Sequence, residues 1–155
     1  MSLINKADIA SLIPLAVNLA AERINLFADE IEKVKCTEFL GRDLYKDVLD
    51  NPGDYTELIT YIKPVLCYWT YIKYLREGKN FNTATGVVIK RTDSSIPLSD
   101  YELKVAIESN CLTSRFYESE LQLHLEEGEY ELYEKRVHTG CKRFKISKPT
   151  NEKEI

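Results

Sequence analysis

His138 and Cys141, three residues apart, come closer than any other pair in this sequence to half of a metal site. Two such ligands can share a zinc ion, but a structural zinc site needs four, and the chain has no second close pair. Glu120 and His124 are four apart, which on a helix puts an acid and an imidazole on one face, as in an acid–base or metal-ligating pair. The di-iron pattern requires Glu-x-x-His twice, and neither copy is present, so a surface contact between Glu120 and His124 is expected instead. The six glycines are dispersed and cannot form a phosphate-cradling loop, and there is no Gly-x-Ser-x-Gly elbow to activate a serine. Neither histidine has the setting that cysteine–histidine catalysis needs. The residue types thus predict no enzyme, no metal and no cofactor.

One further chemistry is suggested by the aromatic density around YIKPVLCYWTYIKY, where bases could stack on the rings while Lys63 and Lys73 meet phosphates. At helical spacing, however, such rings are expected in the core with their hydroxyls at its rim. A net charge of −4 also argues against a general nucleic-acid binder, which needs a basic surface. The charge is unevenly placed. Phe116 to Glu134 holds seven glutamates and no lysine or arginine, whereas Lys135 to Lys148 holds six lysines and arginines and no acid.

The elements that must carry these residues are mostly helical. Asn5 caps a short helix that ends before Pro14. Val17, Ala20, Ile24, Phe27, Ile31 and Val34 recur at helical spacing, with Glu22, Arg23, Asp29, Glu30, Glu32 and Lys33 on the polar side. That helix runs to about Leu40, where Gly41 supplies a corner, and a short helix with Leu44, Tyr45, Val48 and Leu49 follows up to the Asn51-Pro52-Gly53-Asp54 turn. Thr56 to Arg76 is apolar on nearly all sides and should be central, with Pro64 opening a fresh helix or kinking this one. Residues 81–97 suit an extended loop or small β-hairpin. Ser99 and Glu102 form a capping box for a helix through Leu103, Ala106, Ile107, Cys111, Leu121 and Leu125, which Gly128 breaks.

The predicted fold is therefore mainly all-α, a bundle of about five helices with a loop or hairpin at 81–97 and an extended C-terminal arm. Residues 1–134 form one helical domain, and 135–155 a basic arm that is partly disordered when unbound. No stretch is apolar for the roughly 18 residues a bilayer needs, and the N-terminus lacks the pattern of a secretory signal, so no membrane association is expected and the chain should stay in the cytoplasm where it is made. The four cysteines are spread along the chain and are expected as reduced thiols.

The order of elements, with the pieces EFLGRDLY, KPVLCYW and TGVV, resembles the head-to-tail connector proteins of tailed bacteriophages, also called adaptor, neck or head-completion proteins. The resemblance covers about residues 3–135. It implies a structural virion protein: a ring, commonly of twelve copies, that docks below the portal and extends the DNA channel toward the tail. Its partners would be the portal protein, further copies of itself and another neck or tail protein, with DNA passing through unbound. The virion neck would be its final location. The resemblance carries no catalytic residues. It implies that the arm residues Lys135, Arg136, Lys142, Arg143, Phe144, Lys145 and Ile146 contact the portal or a neighbouring subunit. It gives a similar role to the loop residues Gly86, Val87, Val88, Ile89, Lys90 and Arg91. The acids Glu118, Glu120, Glu126, Glu127, Glu129, Glu131 and Glu134 would line the lumen, where they repel phosphates, or pair with the basic arm of the next subunit. The alternative reading is a small helical protein-binding or regulatory protein of a phage or mobile element.

Overall fold

Asn5 starts the fold: its side chain accepts from the amides of Ala7 and Asp8, and Asp8 reaches back to the Asn5 N–H, which closes a capping box on α1, Lys6–Leu12. In the computed structural model, which describes residues 2–15, 21–78, 80–83, 86–89, 99–128 and 130–133, α2 spans Ala21–Leu40, α3 Arg42–Asp50, α4 Thr56–Glu77 and α5 Asp100–Glu127. A hairpin, β1 (Asn80–Thr83) and β2 (Gly86–Ile89), lies between α4 and α5, with Asn80 opposite Ile89 and Thr83 opposite Gly86. The mainly all-α bundle of five helices with a small hairpin is the architecture expected from the sequence. The C-terminal arm lies outside the described residues.

α4 is the central helix. It packs along α5, and α2 and α1 cover its other sides. This is why Leu58, Ile62, Val65, Leu66, Cys67 and Ile72, which do not fall on a single stripe, are all buried. α5 runs antiparallel to α4 along a ladder of rings: Tyr55 near Tyr130, Tyr61 stacked on His124 at 4.2 Å, and Tyr68 stacked on Tyr117 at 5.5 Å. The rings of α4 thus serve as packing between helices, as their spacing suggests.

Three expectations need correction. Pro64 opens no fresh helix: α4 is continuous through it. A mid-helix proline loses one hydrogen bond and crowds the preceding turn, but burial of Ile62, Val65 and Leu66 around it favours the uninterrupted helix. Val34 is 61% exposed and stands off the buried stripe of α2, which comprises Ile24, Phe27, Ala28, Cys36 and Leu40. Glu32, assigned above to the polar side, is 3% exposed.

Gly41 links α2 to α3 at φ +81° and ψ 171°, a region open essentially to glycine. A Cβ built there meets nothing within 4 Å, so the restriction comes from the backbone alone. Gly41→Ala should therefore lower stability by about 1–3 kcal/mol without a steric clash. Urea denaturation measures this, and a neutral result would mean that the corner relaxes to another conformation.

Candidate functional site

The polar groups best placed for chemistry are engaged in holding the fold. Glu32 Oε2 accepts from Ser2 Oγ at 2.8 Å and from the Leu3 amide at 2.7 Å, while its Oε1 accepts from Tyr45 Oη at 3.0 Å. One buried carboxylate thereby fastens the N-terminal segment and α3 to α2. Lys6 N–H adds a bond to Asn25 Oδ1 at 3.0 Å. Burial, together with the Glu32 charge, pushes the Tyr45 phenol and the Cys36 thiol up.

A second cluster joins α2, α4 and α5. Lys35 Nζ lies 4.3 Å from the centroid of the Trp69 ring, 2.8 Å from Glu38 and 3.4 Å from Glu118, and the Trp69 indole N–H donates to Glu118. Glu118 is therefore not a free acid for a channel or a basic arm, contrary to the expectation above. The sequence pattern hid this because its partners come from two other helices. The nearby Glu120, Glu126, Glu127 and Glu131 are exposed, with Glu126 accepting from Gln122. Glu129 and Glu134 lie outside the described residues.

His124 does not pair with Glu120. Its ring stacks on Tyr61, and one ring nitrogen lies 2.7 Å from Tyr130 Oη, so it serves as packing for the end of α5. Lys63 pairs with Asp8 at 3.3 Å, and Lys73 with Glu30 at 3.1 Å and Glu77 at 3.2 Å. Neither lysine stands as an open phosphate partner beside unstacked rings. Among the described residues no group of three or more histidine, cysteine or acidic side chains could hold a metal ion, and no helix is long and apolar enough to cross a membrane. His138 and Cys141 lie outside the described residues.

Cys36, Cys67 and Cys111 are free thiols, the first two buried. Burial, followed by the charge of Asp8, pushes the Cys67 thiol up to about 12. The hydrogen bond Tyr55 donates to Asp47 pushes its phenol up to about 12 and, with a bond from Asn51, draws the Asp47 carboxyl down. Burial raises Tyr68, Tyr71 and Tyr130 as well. Each of these raised groups holds its proton longer in the folded chain than in the unfolded one. The stability they confer is complete below the unfolded values, roughly 8.5 for thiols and 10 for phenols, and is lost as pH rises through the folded ones. The urea midpoint should therefore be lower at about pH 10.5 than at pH 7.5, with Cys36 and Cys67 unreactive to a thiol reagent at the lower pH until the chain unfolds. A flat profile would contradict the burial of these groups.

What the described surface offers is unpartnered apolar area. Tyr101, Val105, Leu112, Phe116 and Leu123 of α5 are between 45 and 76% exposed, and on α2 Leu26 and Val34 are more than half exposed. The nominated loop residues Gly86 to Ile89 form β2, whereas Lys90, Arg91 and the nominated arm residues from Lys135 to Ile146 lie outside the described residues. The sequence reading did not include the outer stripe of α5, although its spacing was there to see.

A family model matches residues 27–143, most of the chain. The chain belongs to DUF6712, a family of unknown function. The DUF6712 match begins at Phe27 inside α2, so it takes in the Glu32 and Lys35 clusters but not α1. It continues through α5 and past Tyr133 to Arg143, into the basic stretch. No curated protein and no solved structure matches.

Proposed function

We propose that this DUF6712 chain is a head-to-tail connector subunit of a tailed bacteriophage, assembling as a ring below the portal and extending the DNA channel. The observation that carries this reading is the run of elements itself. A short capped helix, a long helix turning at a glycine, a short helix, a central helix, a hairpin and a long closing helix follow in the order that the resemblance to connectors implies. The described contacts of the hairpin are chiefly across its own two strands. A two-stranded hairpin is marginal alone in water and gains order when a neighbour covers it, as a ring would provide. The interior offers packing and hydrogen bonding in place of a reactive constellation, which suits a structural part.

In such a ring the exposed acids Glu120, Glu126, Glu127 and Glu131 are candidates for the lumen. About twelve copies at −4 each would total roughly −48, a field that keeps phosphates from settling and lets DNA slide. The hairpin with Lys90 and Arg91, and the arm from Lys135 to Ile146, are the proposed contacts to the portal or the next subunit. Exposed ion pairs contribute only about 0–1 kcal/mol each, so Phe144 and Ile146 would supply the affinity and the charges the register.

The test is to mix the purified chain with its candidate portal protein and measure the mass of the complex, with the chain alone as control. A ring forming with the portal, and weakened by deletion of residues 137–155, supports the connector. No association at any salt concentration would turn the reading to a small helical protein-binding or regulatory protein.

A further inference from the structure

α5 carries two apolar stripes on opposite sides. One faces the bundle, with Ser114, Leu121 and Leu125 buried and Leu103 and Ile107 half-buried. The other is Tyr101, Val105, Leu112, Phe116 and Leu123, all exposed. Its spacings of 4, 7, 4 and 7 repeat every 11 residues, close to the natural pitch, so the stripe runs almost straight along the helix for about 33 Å. A solvated helix face is normally polar, and a continuous apolar band of this length marks a surface that something covers. The stripe is flanked by exposed Glu102, Glu108, Glu120, Glu126 and Glu127, against Lys104 and Arg115. Beyond Arg115 its flanking charges are acids alone, at the negative end of the helix dipole.

We infer that, in the free chain, the basic C-terminal segment, residues 135–148, seats on this outer face of its own α5. The described structure ends at Tyr133, whose amide bonds the Tyr130 carbonyl at 3.0 Å, and Tyr130 in turn packs against His124 near the end of α5. The segment therefore starts at the acidic C-terminal end of α5, on its bundle side, where Tyr130 and Tyr133 pack against the core, and rounds the helix to reach the stripe. It contains Lys135, Arg136, Lys142, Arg143, Lys145 and Lys148 and no acid. Among these bases stand Val137, Phe144 and Ile146; the last two are two apart, so an extended chain turns both to one side and Arg143 and Lys145 to the other. Eleven extended residues from Tyr133 to Phe144 reach about 36 Å, enough to cross the roughly 10 Å width of the helix and run the roughly 16 Å from Leu123 back to Leu112. Charge, apolar content and reach all match the stripe, and the tether holds the segment at an effective concentration in the millimolar range. The inference concerns the free chain and stands whether or not a ring forms.

The test is hydrogen–deuterium exchange and limited trypsin digestion of the full-length chain at several protein concentrations, comparing wild type with Leu112→Glu/Phe116→Glu. Expected are amides across 137–146 that exchange at least tenfold slower in wild type than in the variant, and tryptic cleavage at the arm lysines that is slower to the same degree. This protection should not change with concentration while the mass remains that of one chain, and should weaken in about 1 M salt, which screens the ionic part. Both substituted residues are exposed, so unchanged exchange around Ile62 confirms the fold of the variant. Lys142→Glu/Arg143→Glu/Lys145→Glu should lose the protection equally. Equal exchange in wild type and both variants would overturn the inference. So would protection that appears only as the mass doubles, because that would assign the face to a second copy.

Discussion

Leu66→Ala will lower the free energy of unfolding by about 2–5 kcal/mol, because it removes buried methyl groups and leaves a cavity that the surrounding helices close only in part. Leu66 is fully buried on α4, the helix on which α1, α2 and α5 all pack. The space it leaves is therefore bounded by a helix held from several sides, which limits collapse. A domain with a total stability of roughly 5–15 kcal/mol would lose a large part of it, and the urea midpoint would fall by about 1–3 M. Two controls make the effect specific. Leu66→Met, nearly the same volume, should change stability by less than about 1.5 kcal/mol, and Leu26→Ala at an exposed position of α2 by less than about 0.5 kcal/mol. A loss at Leu26 equal to that at Leu66 would mean that its side chain is already packed to core density.

Glu32→Ala should be comparably damaging, by about 3–5 kcal/mol, through a different route. The carboxylate gathers donors from Ser2, Leu3 and Tyr45, and its removal leaves the Leu3 amide and the Tyr45 hydroxyl without their acceptor. Tyr45→Phe removes one donor and leaves the carboxylate with two, so a smaller loss of about 1 kcal/mol is expected there. The two variants also differ in where the damage appears. Glu32→Ala should speed amide exchange in α1, whose remaining described anchors to the rest of the bundle are the Lys6 bond to Asn25, the Lys63–Asp8 pair and buried Ile4, Ile9 and Ile13. Tyr45→Phe should loosen α3 instead. An unchanged α1 with a loss below about 1 kcal/mol would show that water satisfies these donors as well as Glu32 does.

The sites of these two effects were not equally legible. The burial of Leu66 follows from the sequence because residues 56–76 are apolar on nearly all sides, a pattern that belongs only to a central helix. Glu32 could not be found that way. It falls between Ala28 and Cys36 on the buried side, but a glutamate in a helical pattern is assigned to solvent unless its donors are known. Those donors are a backbone amide and a serine about thirty residues away and a tyrosine on the next helix. Glu118 misled for the same reason, since its partners Lys35 and Trp69 sit on α2 and α4. The fresh helix expected at Pro64 failed because a local rule about one hydrogen bond was outweighed by burial on both sides of it.

The sequence by itself determined the mainly helical class, the number of helices, the caps at Asn5 and Ser99 and the glycine corner, and it marked residues 81–97 for an extended loop or small hairpin. Each of these is decided by contacts within a few residues along the chain: a side chain reaching the third amide, a glycine entering a region of backbone space closed to other residues, or a short β-branched run beside a tight turn. Only the tertiary structure decided which glutamates point inward and which of the two apolar stripes of α5 faces the bundle. Both stripes have helical spacing, so periodicity cannot rank them, and the choice falls to α4, which buries one of them and leaves Tyr101, Val105, Leu112, Phe116 and Leu123 to the outside.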